Sequence, residues 1–256
     1  MSGELIVVGT GIQLGRHVSQ RVLSEIRHAE VVFALADAFC LDWLSGLRPD
    51  LKNLGEFYGV DKDRRVTYRE MEQAIVKAVR SGRRACAVFY GHPGVFAQVP
   101  HAAMRRLREQ GFPVRMEPGI SAEACLYADL GIDPGRRGVQ SMEATQFLAY
   151  RHTIDPTALL LLWQVALAGN LDCIGFAARP DRLGILVDKL GRWYPMDTEV
   201  ILYEAATLPI EEFRAQHLPL IELPQAKYKE YTTLVIPPVA KLERDEEYWD
   251  CLRALD

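Results

Sequence analysis

Residues 4–15 read ELIVVGTGIQLG, a short β-rich apolar run closed by glycines. Strand formers running into a Gly-x-Gly turn, and then into a helical stripe, open an α/β unit. The stripe follows at Val18, Val22, Leu23 and Ile26, spaced three and four apart. Residues 31–36 (VVFALA) give the next strand, apolar throughout as a strand covered on both faces should be. Residues 85–90 give a third, with a helix over 102–110 behind it. Strands alternating with helices call for right-handed crossovers and a parallel sheet.

The second half changes pattern. Residues 159–163, 199–203 and 232–236 read as strands, separated by a helix near 181–193 and by proline-marked turns. Glu117-Pro118-Gly119 combines a turn signal with that change and is the expected boundary. The expectation is an α/β protein of two lobes, residues 1–116 and 117–240, with ligands near the carboxyl ends of strands. The tail, 241–256, is charged but carries Tyr248, Trp249 and Leu252 at the spacing of a short helix packed on one side.

Composition narrows the function classes. With 256 residues the chain can bury a core without disulfide or metal staples. Hydrophobic residues at 49% and charged residues at 25% are those of a globular chain, neither disordered nor fibrous. A formal charge of −4 carries no basic excess, which argues against nucleic-acid binding. No apolar run approaches the roughly 18 residues that cross a bilayer, and the start MSGE has no positive region of a secretory signal. Cys40, Cys86, Cys125, Cys173 and Cys251 are scattered, with no C-x-x-C pair, which speaks for free thiols in a reducing cytoplasm and against a metal site.

Three loops carry candidate chemistry. The first, Gly9-Thr10-Gly11 to Gly15, invites a dinucleotide reading, with Asp37 after the second strand as a ribose ligand. Its G-x-G-x-x-x-G spacing is one residue too long for the pyrophosphate turn. The second, Tyr90-Gly91-His92-Pro93-Gly94-Val95-Phe96, brings bare backbone close to whatever lies beyond the strand. Tyr90 and His92 flank it with polar tips, although a tight turn with a satisfied histidine explains them equally. In the third, Pro118-Gly119-Ile120-Ser121-Ala122, Ser121 is the expected N-cap of the next helix.

A fourth stretch, EFYGVDKDRRVTYREM at 56–71, places Thr67 three residues before Glu70. That is a capping box and predicts a helix starting at Tyr68, with Met71, Ile75, Ala78 and Val79 on its buried side. Arg64 then sits one turn upstream and Tyr58 ahead of a mobile loop. A fixed positive charge beside tyrosines favours phenolate and stabilises a developing oxyanion through paired hydrogen bonds. By residue types alone, the plainer reading of a buried tyrosine satisfied by a solvent-facing arginine stands ahead of a catalytic one.

Together these stretches resemble the tetrapyrrole methylase superfamily, whose members bind S-adenosylmethionine in a cleft between two α/β lobes. Within it the chain is most similar to the borosin α-N-methyltransferases, which methylate backbone amides of a ribosomal precursor peptide. RRVTYREM (64–71), YGHPGVF (90–96), EPGISAEACLYADLGIDPG (117–135), LLWQ (161–164), YEAATLP (203–209) and TTLVIPP (232–238) carry the resemblance across nearly the whole length. Porphyrin-directed relatives usually have an acidic residue in place of His92. The resemblance implies catalytic roles for Tyr58, Arg64, Tyr68 and Tyr90. It implies a methyl-donor pocket lined by Tyr90, His92, Val95, Phe96, Ser121, Ala122, Gln164, Ala205 and Thr233, with no metal. It further implies a homodimer. Fused fungal members carry their substrate on a long C-terminal extension, and TTLVIPP here is followed by residues 239–256, so a separate precursor protein is the expected partner. A tetrapyrrole or other small-molecule methyltransferase is the alternative. A non-catalytic binding protein is the third class, against which the joint presence of the four catalytic positions counts.

Overall fold

The computed structural model describes residues 3–255; Met1, Ser2 and Asp256, at the outer limits of the expected first lobe and tail, lie outside the described residues. The chain divides into two compact units. The first runs to Ile132 and also takes in Asn170–Phe176 and Glu204–Arg214; the second is Asp133–Gly169, Ala177–Tyr203 and the chain from Ala215.

In the first unit the elements alternate as β1 (Glu4–Gly9), α1 (Gln20–His28), β2 (Val31–Leu35), α2 (Ala38–Leu47), β3 (Lys52–Asn53), α3 (Arg64–Arg80), β4 (Arg84–Phe89), α4 (Gln98–Glu109), β5 (Val114–Glu117) and α5 (Ala122–Leu130). The sheet order is β3-β2-β4-β1-β5, and every pairing is parallel. Both faces are covered. Leu5, Val7, Phe33, Ala85 and Ala87 pack on Met71, Ile75 and Val79 of α3 and on Ala103 and Leu107 of α4. Ile6, Val8, Val32, Cys86 and Val88 pack on Val22 and Ile26 of α1 and on Cys40 and Leu44 of α2. Burying each large aliphatic side chain contributes about 1.5–3 kcal/mol.

This arrangement places the site. β1 connects to β2 through α1 on one face, whereas β4 connects to β5 through α4 on the other. The neighbours β1 and β4 therefore send their chains to opposite faces, which opens a crevice beyond their carboxyl ends.

Toward the amino ends of the same strands lies a charge cluster. Glu25 of α1, 3% exposed, receives Arg84 from the start of β4, Arg115 of β5 at 2.5 Å and Arg21 at 2.7 Å, while Glu4 receives Arg115 at 3.1 Å. A carboxylate this deep is tolerable because several cations surround it.

The second unit contains β6 (Val139–Glu143), α6 (Ala144–Ala149), β7 (Leu159–Trp163), α7 (Pro180–Leu190), β8 (Glu199–Glu204), β9 (Arg214–Pro219), β10 (Thr233–Ile236) and α8 (Glu246–Arg253). Its sheet runs β6-β7-β10-β8-β9, with β6 parallel to β7 and β10 antiparallel to both β7 and β8. Leu160, Leu162, Leu202, Leu234 and Ile236 form its core with Phe147 of α6 and Leu183, Leu186 and Leu190 of α7.

Two expectations need correction. Helix α3 begins at Arg64, not Tyr68: Asp63 is the N-cap, accepting from Arg65 N, and Thr67 is buried inside the helix with Oγ1 donating to Phe57 O at 3.4 Å. An aspartate one turn upstream is as good a cap as the threonine, and it captured the start. No residue of α8 is buried, so the one-sided packing expected of the tail has no buried face; Arg244 stacks on Trp249, with Cζ 4.3 Å from the ring centroid.

Candidate active site

Beyond the ends of β1, β4 and β5 the three predicted loops converge. Gly11 and Gly91 pair as an isolated antiparallel bridge, with Gly91 N donating to Gly11 O at 2.9 Å and Gly11 N to Gly91 O at 3.1 Å. Both glycines have left-handed backbone, at φ +72° and +65°. A Cβ on Gly9 would run into Gly91 O and come within 2.6 Å of Pro93 Cδ; one on Gly119 would meet Gly91 O and lie 3.0 Å from Gly9 Cα. Three chain segments thus cross where side chains do not fit, at the strand ends that border the crevice.

The loops hold the predicted donor positions on the first unit. His92 Nδ1 accepts from Gly94 N at 3.0 Å, and His101 Nε2 pairs with Gly94 O at 2.9 Å. Phe96 has φ +49°, which is costly for a bulky side chain and concentrates at functional turns. Ser121 caps α5, accepting from Ala124 N at 3.2 Å, which leaves Ala122 at the first helical position. Ala205 arrives with Glu204–Arg214, a segment closed by the Arg214–Glu204 ion pair at 2.5 Å and fastened to the first glycine loop by Leu14 N donating to Thr207 O at 3.0 Å. Gln164, with φ +54°, and the buried Thr233 stand on the second unit.

The four predicted catalytic residues come together on the first unit. Tyr58 and Tyr68 meet edge to face, with ring centroids 6.4 Å apart. Burial pushes the Tyr58 hydroxyl well above the ordinary tyrosine range; Tyr68 adds to this by charge and hydrogen bond and Tyr90 by charge, while Arg64 opposes it. Tyr90 itself is 54% exposed. Arg64, expected to face solvent in the plainer reading, is 7% exposed. The loop ahead of α3 is tied back at Phe57 O, which accepts from Lys62 Nζ at 2.7 Å as well as from Thr67.

Sequence reasoning missed what holds Arg64. Its backbone N donates to Cys173 O at 3.0 Å, Nη1 donates to Gly175 O, and Phe176 lies under the guanidinium with Cζ 4.8 Å from the ring centroid. Phe176 also packs on Tyr58, centroids 6.0 Å apart. Gly169 and Gly175 advertise a loop locally, but no local signal says which distant helix that loop will meet.

Three of the five cysteines are inert thiols, Cys40 and Cys86 buried and Cys125 half-buried. Burial raises the Cys40 and Cys125 thiols to about 11 and Cys86 to about 12, so all three stay protonated at neutral pH. Among the described residues no group of three or more His, Cys, Asp or Glu could hold a metal ion, and no helix is long and apolar enough to cross a membrane.

A family model for the tetrapyrrole (corrin/porphyrin) methylases matches residues 4–221. The chain belongs to that family. Among curated relatives, a methyltransferase/gymnopeptides precursor of Gymnopus fusipes is 34% identical, with all of this chain aligned to 61% of the relative. A methyltransferase/type I borosin precursor of Coprinopsis marcescibilis is 34% identical, with all of the chain on 67% of it. A methyltransferase/omphalotin A precursor of Omphalotus olearius is 33% identical, with 94% of the chain on 59% of it. This family member thus spans about three-fifths of the length of the curated relatives it matches. Among solved structures, a uroporphyrin-III C-methyltransferase of Thermus thermophilus shares the fold at TM-score 0.65 and 20% identity, over 93% of this chain and 94% of that one. The cobalt precorrin-4 methyltransferase matches at TM-score 0.65 and 16% identity, over 91% of this chain and 94% of that one.

Proposed function

We propose that the chain catalyses S-adenosylmethionine-dependent methylation of backbone amide nitrogens in a ribosomally made precursor peptide, supplied as a separate molecule, with the chain acting as a homodimer. The observation that carries this reading is the buried Arg64 set among Tyr58, Tyr68 and Tyr90 on the unit that bears the glycine crossing. The borosin-type relatives support the peptide as substrate.

The residues present suit the donor. A Cβ on Gly9 or Gly119 would clash with the Gly91 carbonyl, so the three loops close on one another as bare backbone, and beside them a polar amino-acid and ribose moiety can approach main-chain groups closely. Tyr90, His92, Val95, Phe96, Ser121, Ala122 and Ala205 would hold it, with Gln164 and Thr233 assigned by family resemblance. When bound, S-adenosylmethionine supplies an electrophilic methyl group on a sulfonium and needs no metal.

A backbone amide nitrogen is a poor nucleophile, because its lone pair is delocalised into the carbonyl. The chain must therefore remove the N–H proton and stabilise charge on the amide oxygen. Tyr58 keeps its proton through the neutral range and serves as a donor. Tyr68, acting as a phenolate at the other end of that hydrogen bond, takes the amide proton and becomes the phenol. Arg64, itself 7% exposed, faces the oxygen as it gains imidate charge. Tyr90 orients the target nitrogen.

The test is intact-mass analysis of a borosin-type precursor after incubation with the chain and S-adenosylmethionine. Expected are mass increments of one methylene each, located to backbone amides by fragmentation. Methylation of a porphyrinogen, with none on any peptide, overturns the reading. Light scattering checks the dimer.

A further inference from the structure

Arg64 is gripped by a segment more than a hundred positions away. Asn170–Phe176 group with the first unit although the chain on either side belongs to the second. Left-handed backbone at Gly169, Cys173 and Gly175 (φ +71°, +57° and +66°) folds this segment so that two of its carbonyls receive Arg64, at Cys173 O and Gly175 O. The inner fastening is Asn170, 6% exposed: its Nδ2 donates to Ile174 O at 3.0 Å and to Gly175 O at 3.4 Å, the same carbonyl that takes the guanidinium. The amide's Oδ1 is buried without a partner among the described residues, so the donor end decides the orientation of this side chain.

We propose that Asn170 is a positioning residue for Arg64, acting through the Gly175 carbonyl. A guanidinium with one nitrogen bound to a fixed carbonyl and its face on Phe176 has little rotational freedom. Its remaining N–H groups are then aimed before substrate arrives, which is where electrostatic stabilisation gains over a mobile charge. Asn170 touches no reacting atom. The inference rests on the role given to Arg64 above, and it names a determinant of rate that lies outside the tyrosine–arginine set.

The test uses the ¹⁵N-labelled full chain. The guanidinium signal of Arg64 is assigned by its loss in Arg64→Lys, then followed in Asn170→Ala and in the similarly sized Asn170→Leu. Expected are a broadened Arg64 signal, donor affinity by calorimetry unchanged, and single-turnover methylation slowed roughly 10- to 100-fold. In the Arg64→Lys background Asn170→Ala should add no further loss, because the two act through one group. An unaltered Arg64 signal, or losses that simply multiply, overturns the proposal. Should the Ala and Leu variants fail to fold, Asn170→Ser, which keeps a polar group but is too short for the bond to the Gly175 carbonyl, gives the same readout, and an unchanged Arg64 signal there overturns it equally. A broadened Arg64 signal alongside a wild-type chain that methylates no peptide supports the positioning while sinking the proposed function.

Discussion

The two ends of one set of strands are built on opposite principles. At the carboxyl ends of β1, β4 and β5 the chain has removed its side chains: Gly9, Gly11, Gly91 and Gly119 cross backbone to backbone. Toward the amino ends it has concentrated charge, with buried Glu25 among Arg21, Arg84 and Arg115. The first end gives up side-chain packing for close backbone approach, and the second sets a desolvated carboxylate among cations. Disturbing the carboxyl end should therefore cost ligand binding, and disturbing the other should cost stability alone.

The largest effect is expected at Tyr68→Phe, which removes the proposed proton acceptor and leaves the glycine crossing untouched. Single-turnover methylation should drop roughly 10²- to 10⁴-fold, the usual worth of a general base, with donor affinity retained. Retention of most activity would shift the base elsewhere.

Next is Gly119→Ala. The new Cβ meets backbone rather than a flexible side chain, so the crossing must open. Donor binding by calorimetry should fall roughly 5- to 150-fold, the equivalent of the ~1–3 kcal/mol that strained backbone of this kind costs per position. A Gly119→Ala chain that binds donor normally would break the contrast between the two ends.

Glu25→Gln sharpens the comparison from the other side. Removing a buried charge from among three arginines should lower unfolding free energy by about 1–3 kcal/mol, since those arginines are themselves partly solvated. Donor affinity should stay within about twofold. Coupled loss of donor binding would mean the two ends are not independent.

The smallest effect at neutral pH belongs to the thiols of β4, α2 and α5. Cys86 of β4 is raised from 9.0 to about 12, and Cys40 and Cys125 from 9.0 to about 11. Between pH 9 and those values the folded chain holds more protons than the unfolded one, so stability is full below pH 9 and declines as pH rises. Tyr58, raised from 10.0, acts in the same direction at higher pH. Melting temperature should fall steadily from pH 9 to 11, and Cys86→Ala should flatten that slope. A slope unchanged by Cys86→Ala would place the titrating groups elsewhere.

Much of the first unit was legible because its signals are local. The strand at 31–36 matches β2 to within a residue, and 85–90 matches β4 with a one-residue shift, since apolar runs bounded by turns leave few alternatives. Ser121 announced its cap, and it caps. The start of α3 was misread because Asp63 and Thr67 both qualify as caps, and nothing local ranks them; a tertiary bond from Arg64 N to Cys173 O favours the earlier start. β5, with the sequence VRME and no buried residue, alternates apolar and polar over only four residues, too short a run to stand out, and pairing with β1 makes it a strand.

From the sequence alone came the alternation of strands and helices, the three glycine loops in order, and the tyrosines and arginine through their likeness to one family. These are properties of near neighbours, carried by spacing and residue type. Only the tertiary structure decided that the glycines cross one another, that Arg64 is buried instead of solvated, and that Asn170–Phe176 returns to grip it. Each of those depends on where distant segments meet, and that is fixed by how two covered sheets bury their faces, a global balance that no short stretch of sequence contains.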